Sequence, residues 1–553
     1  MKFSKIFGKA LSVLVAFILL YSCADLTTSV KDTALGEDEM NDPQAGEKTL
    51  APAYSMMEEI MGNHNELNNL QGVSSIEQIV PYRGGTDWFD GGRFFEMHQH
   101  NWTPQHVTII NVWENITQGI GRATLSQKTI RDNNGSDALW AEARMLKAVY
   151  NFWLLDMWNV AFDNRPENIG TDNVSTVYTD GDAVQYLLSE IEEMESQLPT
   201  IDQVGETRLN RSAAIGLKAR LMLNKAIYED RYANTHTFPA ADMQAVIDYT
   251  TQIINSGTFE LERENYFYMF GLENEDHPEF LFAFNQEPET GGRHNMAYFH
   301  ASRDRRGSIQ YPSKTGSDGG AITQDFYDLW EGWRDDPRFF HRFIPDGGSI
   351  PDSEYRWNRG IQVGQQYGII LEEGSGSEWQ RDENGDLLIL PLVNNARGGN
   401  LLNYTREVGL TDDNNHEAGA RNLKWDVDPR VPGGQSAVNL PWLRLGEIYL
   451  MRAEANARLG NWGLALNDVN ELREARGARQ LMASELDSFD ELFREYMFEM
   501  YAEHWTRTIQ VRFDMWEDSW RDKTNTDVNK RVFPVPQEVI DSSQGLVTQN
   551  PGY

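Results

Sequence analysis

Two pairs of amphipathic segments constrain this chain more than any other feature. Residues 213–228 place Ala213, Gly216, Leu217, Arg220, Leu221 and Asn224 on one face, small side chains alternating with large ones. Asn210-Arg211-Ser212 offers a cap in front of them, and residues 240–255 form a second helix closed by Ser256-Gly257. The pattern returns near the other end. Residues 442–459 carry Leu445, Ile448, Tyr449, Ala453 and Ala457 on one stripe, and Gly460-Asn461 makes a turn. Residues 462–473 then present Trp462, Ala465, Leu466, Val469 and Leu472 inward, with Gly477 as a stop. Small residues at the contact let two helices approach closely, so each pair reads as a helical hairpin of repeat type.

Further helices are expected at 51–61, 113–131 and 137–158, and at 488–507, where Glu495, Glu499 and Glu503 recur every four residues. Between the hairpins the character changes. Residues 258–440 are rich in Gly, Pro, Asp and Asn, with short strand-like pieces at 280–284, 367–371 and 387–391. Asp382-Glu383-Asn384-Gly385-Asp386 could be a calcium loop, but a bare hairpin turn is the simpler reading. The fold class is therefore mainly α: a tetratricopeptide-like helical repeat scaffold with a loop-rich, partly β insertion. It divides into a helical part at 49–257, a loop-rich ligand-binding region at 258–440 and a helical part at 441–553. Long loops on a rigid frame are where binding groups usually sit.

Composition narrows the function. Asp and Glu number 84 against 49 Lys and Arg, a net charge of −35, which argues against a nucleic-acid binder and its basic face. The single Cys rules out an intramolecular disulfide and a Cys-based zinc site. That Cys has an informative place. Lys2, Lys5 and Lys9 precede an apolar run, residues 10–20, too short for a good membrane span, and Leu20-Tyr21-Ser22-Cys23 follows. This reads as a lipoprotein signal peptide at 1–22, with Cys23 lipidated (palmitate among its acyl chains) and 23–48 as a flexible tether. Several acyl chains anchor stably, each buried CH₂ contributing about 0.8 kcal/mol.

Leu440-Pro441-Trp442-Leu443-Arg444-Leu445-Gly446-Glu447, then Ala453-Glu454-Ala455, Gly460, Ala465-Leu466, Asn470 and Arg473, resemble the SusD/RagB family of outer-membrane nutrient-binding lipoproteins. Glu499, Glu503 and Arg507 with Arg512-Phe513-Asp514-Met515-Trp516 are similar to its last helix, and Val532-Phe533-Pro534-Val535-Pro536 and Gln549-Asn550-Pro551-Gly552-Tyr553 to its tail. Ser22-Cys23-Ala24-Asp25-Leu26, Arg83-Gly84-Gly85-Thr86-Asp87-Trp88, His100-Asn101-Trp102 and Trp113 extend the likeness over 23–553, weakest in 258–440. The resemblance implies a non-catalytic, lipid-anchored protein on the outer-membrane surface. It would capture oligosaccharide and deliver it to a SusC-type TonB-dependent transporter. The family also includes members that serve peptide import, so the resemblance leaves a peptide ligand open.

No His-Glu-x-x-His, Gly-x-Ser-x-Gly, phosphate-binding loop or dinucleotide fingerprint occurs, and no cofactor or metal is expected. With 84 acids, a carboxylate pair suited to glycoside hydrolysis has almost no specificity as a signal. Sugar binding has a different signature: aromatic faces for C–H surfaces beside planar Asp, Asn and Arg groups for hydroxyls. Arg83, Asp87 and Trp88, flanked by Gly pairs, form the first candidate. A basic, aromatic island at 291–311 is the second, with Arg293, His294, His300, Arg303, Arg305 and Arg306 around Tyr298 and Tyr311. It suits either an anionic glycan or a solvated loop whose arginines pair with nearby acids. Trp357, within Tyr355-Arg356-Trp357-Asn358-Arg359, is the third, and Trp379 beside Gly374-Ser375-Gly376-Ser377 a looser one. Trp113, Trp140, Trp153, Trp442 and Trp462 lie on helical stripes and are read as core. His98 and His100 could ligate a metal from a strand, but packing or hydrogen bonding is the simpler role. From another class, the chain could be a helical scaffold that binds protein or peptide and no sugar.

Overall fold

A computed structural model describes residues 45–84, 87–287, 294–306, 309–310, 316–394, 399–411, 416–431 and 435–553. Cys23, Arg293 and Tyr311 lie outside the described residues. The frame is helical, as the apolar spacing predicts. The long helices are α1 (Leu50–Gly62), α2 (Val107–Asp132), α3 (Asp137–Trp158), α4 (Asp180–Glu195), α5 (Arg211–Glu229), α6 (Ala240–Ile254), α7 (Leu445–Arg458), α8 (Trp462–Ala475) and α9 (Phe489–Met500). Local chemistry fixes their ends. Ser136 caps α3 by accepting from Leu139 N, and Asn159 closes it in the left-handed region at φ 60. Asn210 caps α5 through Ala213 N, and Ser488 with Glu491 forms a capping box on α9.

α5 and α6 pack as one hairpin, α7 and α8 as the other, and α6 lies against α7, which joins the two. Small residues set the close approaches. A Cβ on Gly216 would sit 2.1 Å from Leu443 Cδ2, and one on Gly119 2.2 Å from the Tyr150 ring. One apolar core runs through both helical parts, with a satellite of Ile344, Ile350, Ile369, Trp379, Leu387 and Ile389 under the middle region.

Two elements differ from the sequence expectation. Pro441 and Trp442 belong to a strand, Leu440–Arg444, which pairs antiparallel with Phe280–Phe284. Pairing with 280–284, expected as a strand from its sequence, overrides the helical spacing of 442–444, and α7 starts only at Leu445. The expected helix at 488–507 is α9 followed by a separate α10 (Thr506–Arg512), with Ala502 and His504 at φ 58 and 64 breaking it. Trp113, Trp153 and Trp442 are buried, whereas Trp140 and Trp462 are half-buried. Trp140 lies between the guanidinium groups of Arg131 and Arg144, at 4.0 and 4.7 Å.

The middle region consists of short paired strands. Arg359–Gln362 runs between Phe340–His341 and Arg421–Leu423, the largest sheet among the described residues. The Asp382 stretch is a turn: its Oδ1 accepts from Asn384 N and Asp386 N at 2.9 and 3.0 Å, and Gly385 takes φ 89.

Candidate functional site

The segment after Arg83 turns sharply. Arg83 N donates to Asp87 O, and Asp87 N to Gly84 O, both at 3.0 Å. Trp88 and Asp90 then adopt φ 59 and 44, followed by Gly91 and Gly92 at 70 and 89. A left-handed tryptophan costs roughly 1–2 kcal/mol and persists only where its surroundings hold it. They do so here. The indole Nε1 donates to Ser317 O at 2.8 Å, and Phe299, His64 and Phe94 surround the ring at 5.5, 5.8 and 5.9 Å. A Cβ on Gly319 would lie 2.5 Å from the indole, so that seat requires glycine.

Trp88 stays half-buried at the edge of an open hollow of about 570 Å³. Gly84, Asp87, Asp90, Tyr298, Arg303 and Ser317 line the rest. Two of the candidate stretches thus meet: Asp87 and Trp88 from one, Tyr298 and Arg303 from the other. Ser317 ties them, donating from N and Oγ to Tyr298 O at 2.9 and 3.1 Å and accepting from both Trp88 and Arg303.

Asp87 is held from two sides. Arg303 Nη2 donates to its Oδ1, and His416 Nε2 lies 3.3 Å from its Oδ2. His416 Nδ1 in turn faces Asp318 Oδ2 at 2.8 Å. Asp318 is sealed; burial alone would raise its carboxyl, but the His416 hydrogen bond and the Arg421 charge hold it below the ordinary range. His416 and Asp318 carry no local signal in the sequence, because each acquires its role through a contact far along the chain.

Several expected site residues turn inward instead. Arg83 is fully buried; its Nε and Nη1 donate to Asp318 O and Ala418 O at 3.0 and 2.8 Å. It braces the wall behind the hollow and cannot reach a ligand in this arrangement. Trp357 is 1% exposed, its Nε1 donating to Arg306 O at 3.1 Å and its ring covered by Arg305 at 5.0 Å. It touches a second hollow of about 290 Å³, beside Tyr355, Arg356 and Gln310, without offering a face. Trp379 is likewise buried, Nε1 on Ile309 O at 3.2 Å. The basic island is dispersed: Arg303 pairs with Asp87, and Arg305 is buried against Gln366 Oε1. Burial pushes His294 and His300 down to about 3, so both are neutral near pH 7. His98 and His100 are buried too, facing the carbonyls of Arg521 and Ser74 at 2.6 Å.

The arrangement has an aromatic wall, a carboxylate, a guanidinium and a hydroxyl in an open hollow. It suits reversible recognition of a polyhydroxylated ligand. No described helix is long and apolar enough to cross a membrane. A model of the SusD family matches residues 279–553. The starch-binding protein SusD of Bacteroides thetaiotaomicron is 25% identical over 445 residues, 75% of this chain and 72% of that protein. Among solved structures, a laminarin-binding SusD-like protein superposes with a TM-score of 0.64 at 17% identity, covering 93% of this chain and 100% of the other. Surface glycan-binding protein A from Bacteroides uniformis gives 0.63 at 16%, over 92% and 99%. Residues 279–553 thus match the SusD family, and the helical frame of the whole chain has the fold of SusD-like proteins.

Proposed function

We propose that this chain captures oligosaccharides at the cell surface and passes them to a SusC-type TonB-dependent transporter, held at the outer membrane by lipid on Cys23. The observation that carries the reading is the meeting of Asp87, Trp88 and Tyr298, from distant segments, around one open hollow. Binding is non-covalent: rings of Trp88 and Tyr298 take the apolar sugar faces, and Asp87 and Arg303 meet hydroxyls. An open hollow buries little ligand surface, so affinities of about −8 to −4 kcal/mol are expected. The names of the starch-binding and laminarin-binding relatives support a saccharide ligand.

Affinity electrophoresis against starch, laminarin and other polysaccharides, followed by calorimetry with their oligosaccharides, tests the reading. Retardation by at least one polymer is expected. Retardation by none, with tight binding of a peptide or protein, would establish the scaffold alternative. Replacing Cys23 by Ala should move the chain from the membrane to the soluble fraction.

A further inference from the structure

The charge of the hollow comes down to one pair. Among the described residues that line it, Arg303 is the single cation, facing the carboxylates of Asp87 and Asp90. Asp90 is paired with Arg93 at 3.1 Å. Arg303 is committed twice, through Nε to Ser317 O at 3.2 Å and through Nη2 to Asp87 Oδ1. The pair is accessible, with side chains 38% and 22% exposed, so a ligand reaches both members. Asp87 is also fixed against swinging away, because His416 faces its second oxygen and Asp318 backs His416.

A carboxylate or sulfate approaching Arg303 therefore meets a charge already compensated, beside an acid that repels it. A neutral hydroxyl meets no such penalty. It can donate to Asp87 and accept from Arg303 Nη1, which takes part in neither bond above. We propose that the hollow selects uncharged saccharides over acidic ones, and that Asp87 sets this selectivity by neutralising Arg303. The inference deepens the glycan-binding reading and rests on it. For Arg303 it favours the second meaning of the basic island, an arginine paired with a nearby acid.

Isothermal titration with neutral gluco-oligosaccharides and uronate oligosaccharides of equal length tests it. The unmodified protein should bind a neutral series and bind uronates at least about tenfold more weakly, a difference expected from one like charge nearby. Asp87→Asn leaves Arg303 uncompensated and should raise uronate affinity about tenfold at low salt, a gain that shrinks as ionic strength rises. Adding Arg303→Gln should erase that gain. Uronates bound as tightly as neutral chains by the unmodified protein would overturn charge selection while leaving glycan binding intact. So would a folded Asp87→Asn protein with unchanged uronate affinity. Binding of neither series would sink the glycan reading and this inference together. Should Asp87→Asn fail to fold, the comparison on the unmodified protein and on Arg303→Gln, expected to weaken uronates further, decides alone.

Discussion

Arginine–carboxylate pairs occur in two settings in this molecule, and water access separates them. Behind α9, Arg338, Lys424, Arg444, Arg473 and Arg476 interleave with Glu279, Asp336, Glu495, Glu499 and Glu503, all with side chains at most 2% exposed. Five positive and five negative charges balance. Glu499 alone meets Arg338, Arg444 and Arg476 at 3.2, 2.6 and 2.7 Å. At the hollow, Asp87 and Arg303 make the same kind of bond at the surface. Sealed from solvent, the pairing locks α9 to the strand at 440–444 and to the middle region. Left open, it is the pair for which we propose a ligand-reading role, because its members are accessible to a ligand's hydroxyls. Residue type does not assign the role; desolvation does.

The sharpest way to break this comparison is Glu499→Ala. It removes the carboxylate that three buried guanidinium groups share, leaving five positive charges against four in the core, and should cost about 3–5 kcal/mol in urea unfolding. A loss below about 1 kcal/mol would mean that water already reaches the network. Arg83→Ala comes next, removing donors from buried carbonyls behind the hollow, and should cost roughly 2–3 kcal/mol by the same measurement. An unchanged stability with lost glycan binding would return Arg83 to the ligand-contacting role that the sequence suggested. Trp88→Ala should then weaken glycan binding at least about tenfold, or about 1.4 kcal/mol, in calorimetry. Unchanged affinity would remove Trp88 from the site.

Acid titration sharpens the contrast within the interior. Glu66 is buried, and burial pushes its carboxyl up from 4.5 to about 7. Its folded form takes up a proton first, so its contribution to stability increases as pH falls from about 7 towards 4.5. Burial would also raise Glu499, but Arg476, Arg444 and Arg338 hold it well below its ordinary value. Its contribution is present above about 4.5 and is lost as pH falls further. Buried neutral His294 and His300 lose stability over the same range, since the unfolded chain protonates them first below about 6.5. The Glu66 contribution is therefore read as a difference: in thermal melts the unmodified protein should gain relative to Glu66→Gln as pH falls from about 7 to 4.5. A difference between the two proteins that does not change with pH would contradict the assignment. The smallest effect belongs to the exposed pair Lys128–Asp132, 2.5 Å apart on α2. Lys128→Ala should change stability by no more than about 0.5 kcal/mol.

Much of the frame was legible because helix formation is local. The small–large faces of α5 to α8, the Asn210 cap and the Gly477 stop are written within one or two turns of chain. Local spacing misled where a distant partner outweighed it, as when Phe280–Phe284 drew residues 440–444 into a strand, and where left-handed Ala502 and His504 broke the row at 488–507. The glutamates at 495, 499 and 503 were visible as a row, but nothing local says that the row faces inward to buried arginines.

The candidate site was legible as composition and illegible as geometry. Trp88 and Tyr298 stand out as aromatics in polar, glycine-rich stretches, and so do Trp357 and Trp379; only packing separates the pair at the hollow from the pair beneath the surface. Sequence alone determined a helical frame and a supply of aromatic and charged loops, since these depend on periodicity and residue chemistry within short windows. Tertiary structure decided which charges are sealed, which indole is left half-open, and that His416 and Asp318 stand behind Asp87. Those outcomes depend on solvent exclusion by segments hundreds of residues apart, which no local pattern encodes.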